Sequence, residues 1–321
     1  MKRRSLMQGV ALALAAPAIA SAQSARPLRL IVTLAPGSAI DIAARIMAPH
    51  VAAALGQTVI VENRVGADGA IGMTEMLRSP PDGNTLFLGS QAPLAINVAL
   101  VKNLPYDPRR DLAPISGAFT ATQVLVVKSS FPARTLPEFI EVARQRREQR
   151  QPAISIGHAT TLVQIQIATL ARMAGIELLP VPYRGTPATI TDVLGGTLDA
   201  TILDPANALA NVNSGQMRAL GITSPQRSPL APDWPAIAET LPGFDFTAWT
   251  AVVGPRALPA ETVTRLASAF TTALRVKEVS DRMEQIGFIP WFIAPDALRA
   301  YIDAETARWL RIAQENNLQP A

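Results

Sequence analysis

Apolar β-type runs alternate with segments of helical period along most of this chain, and that alternation restricts it to an α/β architecture. Residues 28–34 read as a buried strand, broken by Ala35-Pro36-Gly37-Ser38-Ala39. A helical pattern follows, with Ile42, Ile46, Met47, Val51 and Leu55 on one side. Gly56 stands where a C-terminal cap closes a helix, and Pro49 predicts a kink inside it. Strand-like runs recur at 58–61, 85–89, 124–128, 177–182, 199–203, 218–223 and 249–254, with helical patterns at 136–150, 161–174 and 186–194. This pattern predicts largely parallel sheets. The last third changes to helices at 259–274, 276–286 and 295–317.

The chain has 321 residues and no Gly/Ser-rich joint, more than one ordinary α/β unit holds. Two α/β domains joined by extended strands reconcile these facts. Val124-Leu125-Val126-Val127 and Thr250-Ala251-Val252-Val253 are the candidate crossings. They divide the chain into domain 1, residues 26–123 plus 245–321, and domain 2, residues 124–244. Two crossing strands also make a hinge.

Met1-Lys2-Arg3-Arg4 precedes an uncharged, alanine-rich stretch that passes Ala18-Ile19-Ala20 and Ala20-Ser21-Ala22. A basic start, a short apolar run and an A-x-A end predict a signal peptide over residues 1–22. The adjacent arginines fit a Sec or a twin-arginine route. The expected compartment is the periplasm. The leader also explains the charge. The formal +4 rests on 29 basic against 25 acidic residues, and removing Lys2, Arg3 and Arg4 leaves 26 against 25. A nucleic-acid partner, which needs a concentrated basic surface, is therefore not expected.

With no cysteine and only His50 and His158, thiolate zinc sites, Fe–S clusters and a cysteine nucleophile are excluded, and no metal or cofactor is expected. There is no G-x-S-x-G, Walker A, H-E-x-x-H or G-x-G-x-x-G pattern. An enzyme is not expected. An exported hydrolase working through His158, near Ser155, Thr160 and Thr161, is the rival reading.

Two strand–turn–helix junctions carry the chemistry instead. The first comprises Leu34, Ala35, Pro36, Gly37, Ser38 and Ile40. A strand that runs directly into a helix leaves backbone N–H groups at the positive end of the helix dipole, which favours a carboxylate or phosphate. Ser38 adds a hydroxyl. Asp41 would repel an anion, so its expected role is structural, with Arg45 one turn on. The second junction is Ile156, Gly157, His158, Ala159, Thr160 and Thr161, where a threonine caps the next helix. An ordinary strand–helix turn without a ligand has the same local pattern.

Taken with other segments, these residues resemble the extracytoplasmic solute receptors of the tripartite tricarboxylate transporter system, the Bug family. The matching segments begin with Ala35-Pro36-Gly37, Leu55-Gly56-Gln57, Val61-Glu62-Asn63-Arg64, Gly66-Ala67 and Pro81-Asp82-Gly83. They continue through Leu104-Pro105-Tyr106-Asp107-Pro108, Val181-Pro182-Tyr183-Arg184-Gly185, Leu194-Gly195-Gly196 and Arg218-Ala219-Leu220 to Pro242-Gly243 and Trp249. Each is weak alone, but the ordered set spans the chain after the leader.

The resemblance implies a type II-like, Venus-flytrap periplasmic binding protein. It implies delivery of a small carboxylate to a permease with one large and one small membrane subunit, by a receptor expected to be monomeric. The two junction loops would hold the carboxylate, with Ser90, Gln91 and Asp204 lining the cleft. This chain departs from the family at Leu34, Ser38 and Ile40 in the first loop and at Ile156, His158 and Thr160 in the second. Those departures predict a cleft with more apolar walls at Ile40 and Ile156 and a new polar group at His158. Such a cleft suits a monocarboxylate with an apolar body better than citrate. A sensor subunit of the same fold, not engaged in uptake, is the second rival.

Overall fold

The computed structural model describes residues 26–316; the expected leader lies outside them. The chain opens with a β-α-β-α-β unit: β1 (Leu28–Val32), α1 (Ala39–Leu55), β2 (Val59–Asn63), α2 (Ala70–Leu77) and β3 (Thr85–Ser90). A π-helical turn, Ala92–Ile96, leads to α3 (Asn97–Leu100), α4 (Pro108–Asp111) and the long β4 (Leu112–Ala121). After β5 (Val124–Lys128) and α5 (Leu136–Glu148), the opening unit recurs. This copy is β6 (Ile154–His158), α6 (Thr161–Ala174), β7 (Leu178–Pro182), α7 (Thr186–Gly195) and β8 (Ala200–Leu203). Next come α8 (Pro205–Asn213), β9 (Met217–Ile222), α9 (Ile237–Thr240) and β10 (Ala248–Pro255). The chain ends in α10 (Ala260–Leu274), α11 (Lys277–Gln285), β11 (Ile289–Pro290) and α12 (Pro295–Glu315).

The strands form two sheets. A six-stranded sheet has the order β11-β4-β10-β3-β1-β2, and a five-stranded sheet the order β7-β6-β8-β5-β9. The first takes its strands from both ends of the chain and the second only from the middle. The expectation of largely parallel sheets is corrected. Four strand pairings are parallel, β1 with β2 and β3, and β6 with β7 and β8. The other five, all involving β4, β5 or β10, are antiparallel. A strand that re-enters a sheet from the hinge side runs against the parallel βαβ strands, so a double crossing makes each sheet mixed.

Helix α1 shows how residue choice sets the layers. Ser38 caps its start and Gly56, at φ 62°, closes its end. Its buried stripe is Ile40, Ala43, Ala44, Met47 and Val51, the spacing of one helical face, packed into a core with Leu30, Leu86 and Phe270. Ile42, expected on that face, is 38% exposed. The helix runs through Pro49 without ending, since Pro removes one N–H but leaves the flanking turns intact.

Thr223 ties the two connections of the hinge together, and the Ser224 N–H adds a bond to the Thr122 hydroxyl at 3.1 Å. Thr223, fully buried just after β9, donates its N–H to the Gln123 carbonyl at 2.8 Å and accepts the Gln123 N–H on its hydroxyl at 2.9 Å. The same residue accepts the Phe246 N–H on its carbonyl at 2.8 Å and donates its hydroxyl to the Phe246 carbonyl at 3.2 Å. Both connections between the sheets are thus tied to a single threonine. Helix α12 braces the second connection. Buried Glu305 accepts from the indole N–H groups of Trp249 and Trp309, at 3.2 and 3.3 Å, and pairs with Arg308 at 2.9 Å. Arg308 also donates to the Asp245 carbonyl.

Candidate ligand cleft

Each copy of the β-α-β-α-β unit has a point where the strand order reverses. In the first sheet β1 leads through α1 to β2 on one side, and the chain returns through α2 to β3 on the other. In the second sheet β6 leads to β7 on one side and returns to β8 on the other. Loops at such a point diverge and leave a crevice beyond the carboxyl ends of the strands, where ligands of open α/β sheets bind. The sequence candidates fall at these two points. Residues 34–38 follow β1, and Ser90 and Gln91 end and follow β3. His158 ends β6 and leads to Ala159, Thr160 and Thr161, while Asp204 follows β8.

The first loop is shaped by Asp41. Its carboxylate, almost fully buried, accepts the Gly37 N–H at 2.9 Å, the Asn63 amide at 2.9 Å and the Arg45 Nε at 3.0 Å. Asn63 in turn donates to the Leu34 carbonyl at 2.8 Å. The loop is therefore anchored at both ends, and Gly37 takes the positive φ of 81° that this turn demands. The Arg45 guanidinium, then burial opposing it, then the Gly37 N–H set the carboxyl pKa, which is lowered to about 2. Asp41 is thus charged at neutral pH, yet spent on its own loop. Ser38 Oγ accepts the Asp41 N–H at 3.4 Å, a long capping bond, and the remaining first-turn amides of α1 have no carbonyl four residues back to pair with.

The second loop repeats the device. Thr160 caps α6, its hydroxyl accepting the Val163 N–H at 3.3 Å, and Thr160 and Thr161 are both exposed. The His158 carbonyl accepts the Tyr183 N–H at 2.8 Å, which fixes the strand end. Partial burial lowers the His158 pKa below its ordinary 6.5, so the imidazole is neutral at pH 7. Asp204 caps α8, accepting the Asn207 N–H at 3.0 Å and its side-chain amide at 2.7 Å.

Several side chains differ from expectation or go beyond it. Ile156 is fully buried in the core of the second sheet and Ile40 nearly so in that of the first, so neither forms an exposed cleft wall. Ile154 and Ile156 of β6 join the apolar cluster that holds Ile165 and Leu170 of α6, and Ile40 begins the buried stripe of α1. The exposed apolar groups beside the first loop are Leu34, at 43%, and Ile42. Gln91 is buried with neither amide atom hydrogen-bonded, and Thr33, just before the first loop, has an unpartnered buried hydroxyl. Unpaired buried polar groups are costly, and their occurrence at the ends of adjacent strands marks the first switch point as unusual.

The two halves touch at Gly287 and Pro205, where a Cβ added to Gly287 would lie 2.3 Å from Pro205 Cβ. A surface groove of about 480 Å³ lies between α10 and residues 293–295 and includes none of the candidates. Among the described residues no group of three or more His, Asp or Glu side chains is placed to hold a metal ion, and no helix is long and apolar enough to cross a membrane.

Two α/β halves of matched topology, each with strand-end loops at a switch point and linked through residues 122–123 and 223–247, define a bilobal protein; the expected crossings β5 and β10 each lie within a single sheet. Residues 43–318 match the model of the tripartite tricarboxylate transporter family receptor, and the chain belongs to that family. Protein BugT of Bordetella pertussis is 33% identical over 304 residues, covering 94% of this chain and 93% of its own. Among solved structures, an R. palustris protein with adipate has a TM-score of 0.79 and 27% identity, with 92% of this chain and 99% of that one covered. MatC from Rhodopseudomonas palustris with bound malate has a TM-score of 0.73 and 28% identity, with 89% and 98% covered. The family is one of receptors rather than enzymes.

Proposed function

We propose that this protein is a periplasmic receptor that captures one small carboxylate between the two switch points and presents it to a tripartite tricarboxylate-type permease. The observation that carries this reading is the duplicated strand–turn–helix junction, with α1 capped by Ser38 and α6 capped by Thr160. Each offers first-turn N–H groups and a hydroxyl to an anion. In this reading residues 1–22 are removed on export, and residues 26–123 with 245–321 form one domain and 124–244 the other. The large and small membrane subunits would receive the closed, monomeric form. The ligand meets Leu34, Ala35, Pro36, Gly37 and Ser38 on one side and His158, Ala159, Thr160 and Thr161 on the other, with Ser90 and Asp204 along the walls and the buried, unpaired amide of Gln91 behind them. No turnover is involved.

The charges argue for selectivity. Asp41 and Arg45 neutralise one another, and Asp204 is an anion in the cleft wall. A citrate trianion would meet neutral donors and one carboxylate, whereas a monocarboxylate needs a single cradle and leaves its body to Leu34 and Ile42. The adipate and malate of the two R. palustris structures mark the size of ligand such a cleft accepts. Isothermal calorimetry of residues 23–321 against aliphatic and aromatic monocarboxylates, adipate, malate and citrate tests this. Heat from monocarboxylates, with citrate at least about tenfold weaker, is expected. Micromolar citrate binding with no response to monocarboxylates would refute it.

A further inference from the structure

Helix α6 begins at the second loop and runs past the hinge, and its middle is wired to the first crossing. Gln166, with no solvent exposure, donates Nε2 to the Gln123 side-chain Oε1 at 2.7 Å, and its own Oε1 is buried without a partner. Ile165 and Ile167 on either side of it are also buried, whereas Gln164 and Arg172 are exposed, so Gln166 lies on the buried face of α6. Gln123 is the residue whose backbone N–H and C=O are both tied to Thr223, and Thr223 is tied to Phe246 on the second crossing. At its far end α6 reaches α12, where Arg172 pairs with Glu315 at 3.2 Å.

A fully buried amide with an unused acceptor is an expensive way to fill space; methionine would pack there without a polar debt. The bond to Gln123 also depends on direction. A rotation of one half about residue 123 swings the Gln123 side chain relative to α6. The 2.7 Å contact therefore fits only some hinge angles, whereas apolar packing tolerates sliding. We propose that the Gln166–Gln123 hydrogen bond is the link through which the α6 N-terminal loop senses and sets the hinge angle, making Gln166 a positioning residue for closure. This rests on the reading of residues 158–161 as a ligand loop.

The test compares wild type, Gln166→Met, Gln123→Met and the double variant of the mature chain in two arms. The first arm needs no ligand. Hydrogen exchange at the amides of Thr223 and Phe246 should rise at least about tenfold in each single variant and in the double variant alike. The amides of Leu30 and Leu86, inside the first sheet, should not change. In the second arm, sodium adipate is the probe, read by calorimetry and small-angle scattering. Each single variant should weaken adipate binding about tenfold and reduce ligand-induced contraction, and the double variant should be no worse than the worse single one. That non-additivity separates a coupled pair from two independent packing defects. Unchanged hinge exchange, or effects that simply sum in the double variant, would overturn the proposal. If wild type ignores adipate while the hinge amides respond non-additively, adipate is excluded as a ligand and the mechanical link stands.

Discussion

Asp41 is the residue on which the first loop depends. Four hydrogen bonds converge on its carboxylate, from the Gly37 N–H, the Asn63 amide and the Arg45 Nε, which reaches both oxygens. Replacing it with Asn turns an amide N–H toward that guanidinium and leaves donors facing a donor. Because Arg45 is half-exposed, solvent discounts the pair, and Asp41→Asn should cost on the order of 1–2 kcal/mol, roughly 3–6 °C in melting temperature. The sign in pH follows from a folded pKa of about 2 against an ordinary 3.8. The stabilisation is complete above pH 4 and disappears as pH falls toward 2, and the variant should lose that part of the acid-unfolding profile. His158 behaves oppositely in its two states. Without ligand its lowered pKa means the unfolded chain binds protons more readily, so stability should fall as pH drops through 6.5. A bound carboxylate favours the imidazolium, so affinity should rise over the same interval. His158→Gln should flatten both trends; a wild-type affinity independent of pH between 5 and 7.5 would remove His158 from the ligand contacts. The polar members of both loops were legible because caps and turn residues announce themselves locally. Ile42 and Ile156 were not, since which face of an element looks at solvent is settled by its neighbours.

At the scale of elements, the close approach of Gly287, in the turn before β11, to Pro205, which opens α8, would act as a steric stop if the two halves close on one another. Gly287 has φ +80° and no room for a methyl group, whereas Gly215 has φ +72° and open space around its Cβ position. Gly215→Ala therefore measures backbone strain alone, about 1 kcal/mol. Gly287→Ala adds the clash with Pro205 and should cost at least about 1 kcal/mol more, because overpacked contacts give way by shifting backbone. It should also enlarge the radius of gyration in solution scattering. Equal melting temperatures for the two variants would show that the loop yields and that no stop exists. Strands with plain alternation or apolar runs, such as β5 and β10, were readable. The long β4, absent from the sequence expectation, was not: Pro114 and Gly117 interrupt its pattern. Its pairing with β10 accommodates them through register shifts between Val252 and Val253 and between Thr250 and Ala251. Helix α8 went unread because Asp204-Pro205 looks like a turn until it is seen as an N-cap followed by proline at the first helical position.

The whole molecule divides its polar bonds unevenly. Each sheet has its own ladder, while the hinge rests on Thr223, Gln123, Phe246 and the α12 brace. Among the described residues the polar bonds that join the halves include those of the hinge and the Arg172–Glu315 pair, and a ligand that bridges the halves would shift the balance between arrangements that differ in their separation. This predicts a thermodynamic signature that needs no knowledge of the closed geometry. At a free carboxylate concentration of 100 times the dissociation constant, mass action adds about 2.7 kcal/mol to the stability of the bound form. For a chain of this length that is a rise of roughly 5–8 °C in melting temperature, accompanied by contraction in scattering. If the ligand acts by bridging the halves, the two unfolding steps of a partly uncoupled bilobal protein should merge into one on binding, because neither half can then unfold without releasing it. If the ligand sits on one half only, calorimetry should show that half's transition shifted and the other left in place. Contraction with a single merged transition is the expected result, and a one-sided shift without contraction would exclude capture between the two switch points.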